Sequence, residues 1–345
     1  MGSLVKRALV IGGTGFIGLH VVDALLGAGW SVRTTRRKSS PTLLLRKRPV
    51  EMVNGSLDDA ESLRRAMEGI DVVFLTAGHY PRYSLTPDAS VALAVGQLDR
   101  CYAAAKDAQV RRVVYASSVA ALAPGETPAT EDDVGPPDLR EGTYPTVKKA
   151  MEAATDRARD GGLDVTSLLL GGCIGPWDLR LGTNGFLAAI LSGAVPHWYD
   201  GLVHLVAVED AAHAHLAAAL SGGPRHLVGG HTVRVGELIG GLVRRHGAPD
   251  PGPSISLDEM RALAEAAERA AAPLRLRVPV PRELVDIAAL GRPIDSRRAL
   301  ESLGLSLTPL DAAIDATVAW LVRHRFVRSA PSPARILDAK PHLDS

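Results

Sequence analysis

Residues 12–18 read Gly-Gly-Thr-Gly-Phe-Ile-Gly, between the apolar run 8–11 and a segment with helical periodicity that starts at Phe16. Glycine lets a backbone approach a pyrophosphate closely, and the N-terminus of a helix presents unpaired N–H groups to an anion. A strand, this turn and a helix in succession therefore predict a dinucleotide-binding site at Gly12, Gly15 and Gly18. The alternative is a tight turn with only a packing role.

Short apolar runs alternate with helix-period segments through the first half of the chain. The predicted strands are residues 4–11, 31–35, 50–53, 71–75, 112–116 and 164–170, and the predicted helices are residues 16–26, 59–67, 88–108 and 144–160. Strands buried on both faces read as continuous apolar runs, as these do. The pattern predicts an α/β fold with a doubly wound parallel sheet of the Rossmann type.

The strand rhythm breaks after about residue 176. Loops punctuated by Gly and Pro follow, with one sheet-like run at 204–208 and a helix at 209–220. We expect an NADP-binding Rossmann domain formed by residues 1–175 and about 203–222. A smaller, interleaved C-terminal lobe for the substrate is expected from about 176–202 and 223–326, and residues 327–345 form a tail.

Composition and charge limit the class of protein. The 345 residues are 46% hydrophobic with a formal net charge of +1, which fits a globular enzyme and provides no basic footprint for nucleic acid or an anionic membrane. The expected partner is a small molecule. Neither the two cysteines nor the histidines have a metal-binding spacing, so no metal site is predicted. Without an apolar run of about 18 residues, we expect a cytoplasmic protein.

The end of the predicted second strand is basic. A NAD-binding protein usually places an acid there for the ribose 2′-hydroxyl, whereas residues 31–38 contain no acid and include Arg33, Arg36 and Arg37. Arginine binds phosphate groups bidentately, so the sequence favours NADP(H), with NAD(H) possible. The alternative is a solvated basic loop, because residues 46–48 are basic too.

Tyr144 and Lys148 lie four residues apart and share one face of a predicted helix. Ser118 precedes them at the end of the predicted fifth strand. A serine hydroxyl can orient a carbonyl oxygen that a tyrosine protonates, while a lysine lowers the tyrosine pKa and holds ribose hydroxyls. This order predicts a nicotinamide-dependent reductase; outside it, Tyr144 would be an ordinary residue of an amphipathic helix.

Aromatic residues are scarce, yet several fall in loops expected to border the cleft. These residues are Tyr80, Tyr83, Trp177, Phe186, Trp198 and Tyr199. Their placement favours a flat or apolar substrate, and packing between the lobes explains it equally well. His79 lies in the same loops and is assigned to the substrate site with them.

Five motifs occur in one order along the chain. They are GGTGFIG (12–18), SSVAAL (117–122), YPTVKKAME (144–152), GCIGPWD (172–178) and VAVEDAAHAHL (206–216). Together they resemble the extended short-chain dehydrogenase/reductase family, in particular its dihydroflavonol-reductase-like branch, over about residues 4–325. The resemblance implies a Rossmann core, catalysis by Ser118, Tyr144 and Lys148, and a homodimer formed through helices 88–108 and 144–160.

The same resemblance implies a set of cofactor-binding residues. In chain order they are Gly12, Thr14, Gly15, Phe16, Ile17, Gly18, Arg33, Arg36, Arg37, Ser56, Leu57, Thr76, Ala77, Gly78, Tyr144, Lys148, Gly171, Cys173 and Ile174. The chain departs from the family pattern in four places. Ile11 stands where the family often has Thr. Ser56 replaces an Asp commonly used to hold the adenine, Leu93 falls near a position where many members carry Asn, and residues 170–172 replace an Arg-Pro pair.

Three reactions are common in the family that the motifs resemble. Sugar dehydratases carry an Asp-Glu pair after the catalytic hydroxyl, where this chain has Val119 and Ala120. We therefore predict an NADPH-dependent ketone or aldehyde reductase, reversible as an alcohol dehydrogenase, for a hydrophobic and cyclic or aromatic metabolite. The alternatives are a nucleotide-sugar epimerase with tightly bound NAD and a non-enzymatic regulator that senses NADP(H).

Overall fold

A parallel β-sheet organises the chain in the computed structural model, which describes residues 6–81 and 83–327. The strands are β1 (Arg7–Ile11), β2 (Ser31–Arg36), β3 (Glu51–Asn54), β4 (Val72–Leu75), β5 (Arg112–Ala116), β6 (Val165–Leu170), β7 (Gly172–Ile174), β8 (Leu202–Ala207), β9 (Arg225–Val228) and β10 (His231–Arg234). Seven of them form the main sheet in the order β3-β2-β1-β4-β5-β6-β9, with every neighbouring pair parallel. This arrangement confirms the predicted Rossmann-type fold class.

Eleven α-helices belong to the described residues. They are α1 (Phe16–Gly27), α2 (Ala60–Met67), α3 (Pro87–Asp107), α4 (Thr143–Asp160), α5 (Thr183–Leu191), α6 (Val208–Ser221), α7 (Val235–His246), α8 (Leu257–Ala271), α9 (Arg282–Leu290), α10 (Arg297–Leu303) and α11 (Leu310–Arg323). None combines the length and hydropathy that a membrane-spanning segment needs.

Alternating residues of β1 show how the layers form. Ala8 and Val10 pack with α1 and α6 on one face of the sheet, whereas Leu9 and Ile11 pack with α2, α3 and α4 on the other. Side chains of a strand point alternately to opposite faces, so a strand covered on both sides must be apolar at every position. The chain order reverses between β1 and β4, and ligands of such sheets bind at the carboxyl ends of the strands beside this point.

A second sheet carries the remaining three strands, in the order β10-β8-β7. Strand β8 runs parallel to β7 and antiparallel to β10. Helices α5, α7 and α11 pack with it around a separate hydrophobic cluster that includes Leu187, Leu238 and Leu321. This cluster is the core of the smaller lobe.

Two strands belong to a different sheet from the one that the predicted domain boundaries assign to them. The run predicted at 204–208 is β8, which belongs to the small sheet rather than the main one. Strand β9, within the range expected for the lobe, is the seventh strand of the main sheet and pairs with β6. Its four residues follow Gly222, Gly223 and Pro224, so the local sequence reads as a loop, and only pairing with a distant strand makes it sheet. The domain boundaries otherwise stay a prediction, and residues 328–345 of the tail lie outside the described residues.

Candidate active site

The glycine-rich turn between β1 and α1 is built for close approach of the backbone. Gly12 has a φ of +106°, and its carbonyl accepts a hydrogen bond from the Gly15 N–H at 2.8 Å. A Cβ atom on Gly18 would lie 2.2 Å from the Gly12 oxygen and 2.6 Å from Thr76 Oγ1, so only glycine lets α1 begin here. No side chain caps α1, which leaves its first N–H groups for an anion.

The neighbouring positions follow from this turn. Thr14 is half-buried, and Phe16 and Ile17 open α1 with their side chains packed partly against the core. Thr76, after β4, donates a hydrogen bond from Oγ1 to the Ile11 carbonyl at 3.1 Å. Ala77 and Gly78 continue from it, and the Ala77 Cβ atom would be 2.9 Å from a Cβ atom on Gly12. The turn and the end of β4 therefore form one surface at the carboxyl edge of the sheet.

Two of the three predicted phosphate-binding arginines lie at this edge. Arg36 ends β2 and is half-buried, and Arg37 follows it and is exposed. Neither guanidinium has an ion-pair or hydrogen-bond partner within residues 6–81 and 83–327. Two uncompensated cations at the end of β2 fit a 2′-phosphate.

Arg33 does not belong to that group. It lies in the middle of β2, opposite Leu9 and Glu51 in the neighbouring strands. Its guanidinium binds the Glu51 carboxylate at 2.8 Å and the carbonyl groups of Ala66 and Glu68, each at 2.9 Å. All of these contacts hold the strand to β3 and to the end of α2. Because its guanidinium is engaged in them, Arg33 does not fit the predicted role of a phosphate-binding residue.

The remaining predicted cofactor residues lie in the turn after β3 and at or near β7. Ser56 forms a turn after β3, where its Oγ accepts the Asp58 N–H at 3.2 Å, and Leu57 is buried in the core. Gly171 lies between β6 and β7, and a Cβ atom there would be 2.1 Å from the Gly229 oxygen. Cys173 and Ile174 are buried in β7, and burial raises the pKa of the Cys173 thiol to about 12.

Ser118, Tyr144 and Lys148 come together where β5 ends and α4 begins. Ser118 is 9% exposed, and its Oγ accepts the Ala120 N–H at 3.2 Å in a short 3₁₀ turn. Tyr144 is also 9% exposed, in the first turn of α4. The Lys148 Nζ atom lies 5.6 Å from the centre of the Tyr144 ring and 5.8 Å from that of Tyr115.

Burial dominates the electrostatics of this group. It raises the pKa of Tyr144 above its ordinary value, the nearby Glu283 carboxylate raises it further, and a hydrogen bond with Ser118 lowers it in part. Burial also lowers the pKa of Lys148 to about 8, although the charges of Glu152 and Glu283 oppose this shift. The Tyr144 pKa is therefore raised, against the expected lowering, because burial removes water from around the phenol.

The predicted substrate residues separate into two groups. The Tyr80 ring packs against Tyr144, with ring centres 5.1 Å apart and planes inclined by 52°. Tyr83, three residues on, donates its hydroxyl hydrogen to the Leu276 carbonyl at 2.6 Å. His79 is half-buried, its Nε2 atom has no hydrogen-bond partner in the described part of the chain, and burial lowers its pKa. The loop between β4 and α3 thus adjoins Tyr144 of the predicted catalytic group.

The other four aromatic residues pack elsewhere. Trp177 lies against His324 after α11, with ring centres 5.6 Å apart. Phe186, Trp198 and Tyr199 contact the hydrophobic cluster of the smaller lobe. Their positions match the packing alternative, so the inference of an apolar cleft now depends on Tyr80 and Tyr83.

Sequence reasoning missed Glu283, an acid in the first turn of α9. Its side chain is 5% exposed, and its carboxylate accepts a hydrogen bond from the Tyr80 hydroxyl. Burial, followed by the charges of Glu268 and Asp286, raises its pKa to about 8, although Tyr80 and Lys148 oppose the shift. No motif surrounds Glu283, and an acid in the first turn of a helix reads as an ordinary exposed residue.

The chain is similar to a known protein family and to several known proteins over most of its length. The model of the NAD dependent epimerase/dehydratase family matches residues 8–235. A Synechocystis sp. protein named dihydroflavonol 4-reductase is 29% identical over 93% of this chain and 96% of its own. Sterol demethylase protein B of Methylococcus capsulatus is 30% identical over 90% of this chain and 97% of its own. The crystal structure of a nucleoside-diphosphate-sugar epimerase from Pseudomonas aeruginosa has a TM-score of 0.77 at 27% identity and covers 93% of this chain and 99% of its own.

Proposed function

This chain belongs to the NAD dependent epimerase/dehydratase family, within the extended short-chain dehydrogenases/reductases, and on that premise we propose that it is an NADPH-dependent ketone or aldehyde reductase. The observation that carries the proposal is the meeting of Ser118, Tyr144 and Lys148 at the sheet edge that also carries the glycine-rich turn. The family match confirms the resemblance that the motifs predicted.

The residues at the carboxyl edge fit a nicotinamide dinucleotide. The turn at Gly12, Gly15 and Gly18 leaves a backbone surface that any Cβ atom would narrow, and the N-terminus of α1 would hold the pyrophosphate. Arg36 and Arg37 would hold a 2′-phosphate, which is the reason for proposing NADPH. When bound, the reduced cofactor supplies hydride to a carbonyl carbon.

The protein itself handles the proton. Ser118 donates its hydroxyl hydrogen to the substrate oxygen and thereby orients the carbonyl group. Tyr144 transfers its phenolic proton to the same oxygen as negative charge develops there. A raised pKa keeps Tyr144 protonated at neutral pH, which suits reduction; oxidation of an alcohol requires the phenolate and is favoured at alkaline pH. Lys148 lies on the same face of α4, where its ammonium group stabilises negative charge on the tyrosine oxygen.

We infer a hydrophobic, cyclic substrate. Tyr80 is 57% exposed as a residue, and its ring packs beside Tyr144. Two relatives of this chain are named for a dihydroflavonol and a sterol, and both compounds are polycyclic. An exposed aromatic ring can stack on such a skeleton.

The substitution Tyr144→Phe tests the proposal. It removes the proton donor and keeps the ring, so NADPH oxidation with a panel of cyclic ketones should fall at least about 100-fold, the usual contribution of a general acid. NADPH affinity, measured by fluorescence titration, should stay within about twofold. Tyr102→Phe is the matched control, because it removes a phenol from α3 whose hydroxyl contacts Thr155 at 2.8 Å. Full activity of the Tyr144→Phe protein would exclude the assignment.

A nucleotide-sugar epimerase is the second candidate, favoured by the similarity to the Pseudomonas aeruginosa epimerase. Such enzymes must keep the dinucleotide through the whole reaction. Arg234, a basic residue available for a sugar diphosphate, is paired with Asp200 at 3.4 Å, which weakens this candidate. The supernatant of the heat-denatured protein should contain no stoichiometric NAD if the chain is a reductase that exchanges NADPH; one NAD per chain would favour the epimerase.

A further inference from the structure

Helix α9 of the smaller lobe brings a buried acid to the catalytic helix. The two helices are in close contact, because a Cβ atom on Gly142, which precedes α4, would lie 2.5 Å from the Asp286 carboxylate of α9. Glu283 lies one helical turn before Asp286 and is 5% exposed. A carboxyl group is seldom so buried unless it has partners that replace water.

One partner of Glu283 is Tyr80, whose hydroxyl donates a hydrogen bond to its carboxylate. The Tyr80 ring in turn lies 5.1 Å from the Tyr144 ring, measured between ring centres. A continuous path of contacts therefore runs from the lobe to the catalytic tyrosine. No hydrogen bond reaches the second carboxylate oxygen of Glu283 from residues 6–81 or 83–327.

The loop that carries Tyr80 is tied down at further points. The Ser84 N–H donates to the Glu268 carboxylate of α8 at 2.7 Å. The Ser84 carbonyl accepts the Thr143 hydroxyl hydrogen at 3.0 Å, at the start of the catalytic helix. These two hydrogen bonds hold Ser84, four residues after Tyr80, between α8 and the start of α4.

Several charged or titratable groups face Glu283. Tyr144 and Lys148 approach from α4, Tyr80 from its loop, Glu268 from α8 and Asp286 from α9 itself. Asp286 is held by Arg261 and Arg282 at 3.0 Å each. When Glu283 is ionised, its charge raises the pKa of both Tyr144 and Lys148, because a nearby negative charge favours the protonated form of each.

We propose that Glu283 is a positioning residue of the catalytic site, which holds Tyr80 against Tyr144 and determines the charge that Tyr144 and Lys148 experience. This inference rests on the proposed reductase function. It adds a residue of the smaller lobe to a group that otherwise comes from the Rossmann sheet and α4. The lobe thereby takes part in setting the proton affinity of the catalytic tyrosine.

The direction of the pH effect follows from the charges. Glu283 is neutral below its pKa of about 8 and negative above it. In alkaline solution its charge opposes ionisation of Tyr144, which alcohol oxidation requires. Glu283→Gln keeps an oxygen that accepts the Tyr80 hydrogen bond and removes the charge. The alkaline rise in the oxidation rate should therefore move to lower pH in this variant.

The kinetic experiment uses three variants of the full chain. In Glu283→Gln, the pH profile of kcat for alcohol oxidation should shift to lower pH, while the affinity for NADPH stays unchanged. Glu283→Leu and Tyr80→Phe, which break the hydrogen bond, should lower kcat about 10-fold or more. Glu283→Gln, which keeps the hydrogen bond, should retain most of the wild-type kcat. Glu301→Gln, a change of an exposed acid on α10, is the control. A Gln variant whose profile superimposes on that of the wild type would overturn the proposal.

A second readout needs no turnover. The chain has six tyrosines, so ¹³Cζ-tyrosine labelling gives a simple NMR spectrum in which Tyr80→Phe identifies the Tyr80 resonance. That resonance should shift with a midpoint near pH 8 in the wild type and stay constant in Glu283→Gln. Equal behaviour in both proteins would overturn the inference. A titrating Tyr80 without turnover of any carbonyl would instead reject the reductase function and leave the contact between Glu283 and Tyr80 established.

Discussion

Burial decides how individual side chains of this site behave. The spacing of Tyr144 and Lys148 places them on one helix face, yet the loss of water around them moves their pKa values apart, raising that of Tyr144 and lowering that of Lys148 to about 8. Arg33 and Arg36 show the same dependence on surroundings. The Arg33 guanidinium makes three contacts, with Glu51, Ala66 and Glu68, whereas that of Arg36 has no partner among the described residues. The residue type alone does not distinguish these roles.

At the residue scale, replacing Arg36 and Arg37 together by Ser should weaken NADPH binding without affecting NADH. Charged hydrogen bonds contribute about 1.5–3 kcal/mol each, so losing both arginines should raise the Kd for NADPH about 100-fold or more. Fluorescence titration with both cofactors measures the effect. Arg46→Ser removes an exposed arginine from the same basic surface and serves as the control. Equal losses for NADPH and NADH would show that these arginines do not read the 2′-phosphate.

At the scale of the elements, the start of α1 depends on the glycines of its first turn. Its N-terminus has no side-chain cap, and the helix starts against the Gly12 carbonyl and the end of β4. The last residue of the same helix, Gly27, has no atom within 4 Å of a Cβ position. One helix therefore contains a glycine that the site requires and a glycine that it does not.

Alanine at these two positions should give opposite results. Gly18→Ala places a methyl group 2.2 Å from the Gly12 oxygen, so the turn must move, and we expect a loss of stability of about 1–3 kcal/mol with at least tenfold weaker NADPH binding. Gly27→Ala should be neutral or stabilise the protein by less than about 1 kcal/mol. Urea unfolding and cofactor titration measure both. Normal cofactor binding by the Gly18→Ala protein would contradict the placement of the pyrophosphate.

In the whole molecule, α4, which carries Tyr144 and Lys148, is anchored by a strand that lies far away in sequence. Arg225 of β9 binds Glu152 at 2.9 Å and Asp156 at 2.5 Å, and both acids lie on α4. Glu152 is 0% exposed, and Arg225 is its ion-pair partner. The seventh strand thus contributes both an edge to the sheet and the counter-charge that holds α4 in place.

Arg225→Met should destabilise the whole domain. Leaving one member of a buried ion pair without its partner costs about 3–5 kcal/mol, which urea unfolding would detect. Arg269→Met breaks a pair with Glu265 on the surface of α8, where the expected change is below about 1 kcal/mol. Similar values for the two variants would show that water reaches Glu152.

The sequence by itself determined the parts of the protein that depend on local pattern. The strand, glycine turn and helix at residues 7–27 follow from periodicity and from backbone space, and the end of β5 and the first turns of α4 follow from the same rules. Only the tertiary structure decided the role of Arg33, the sheet to which β9 belongs and the approach of Glu283 to Tyr80. These outcomes depend on pairing and burial between segments tens to hundreds of residues apart. A local sequence pattern cannot predict them, because the partners become neighbours only when the chain folds.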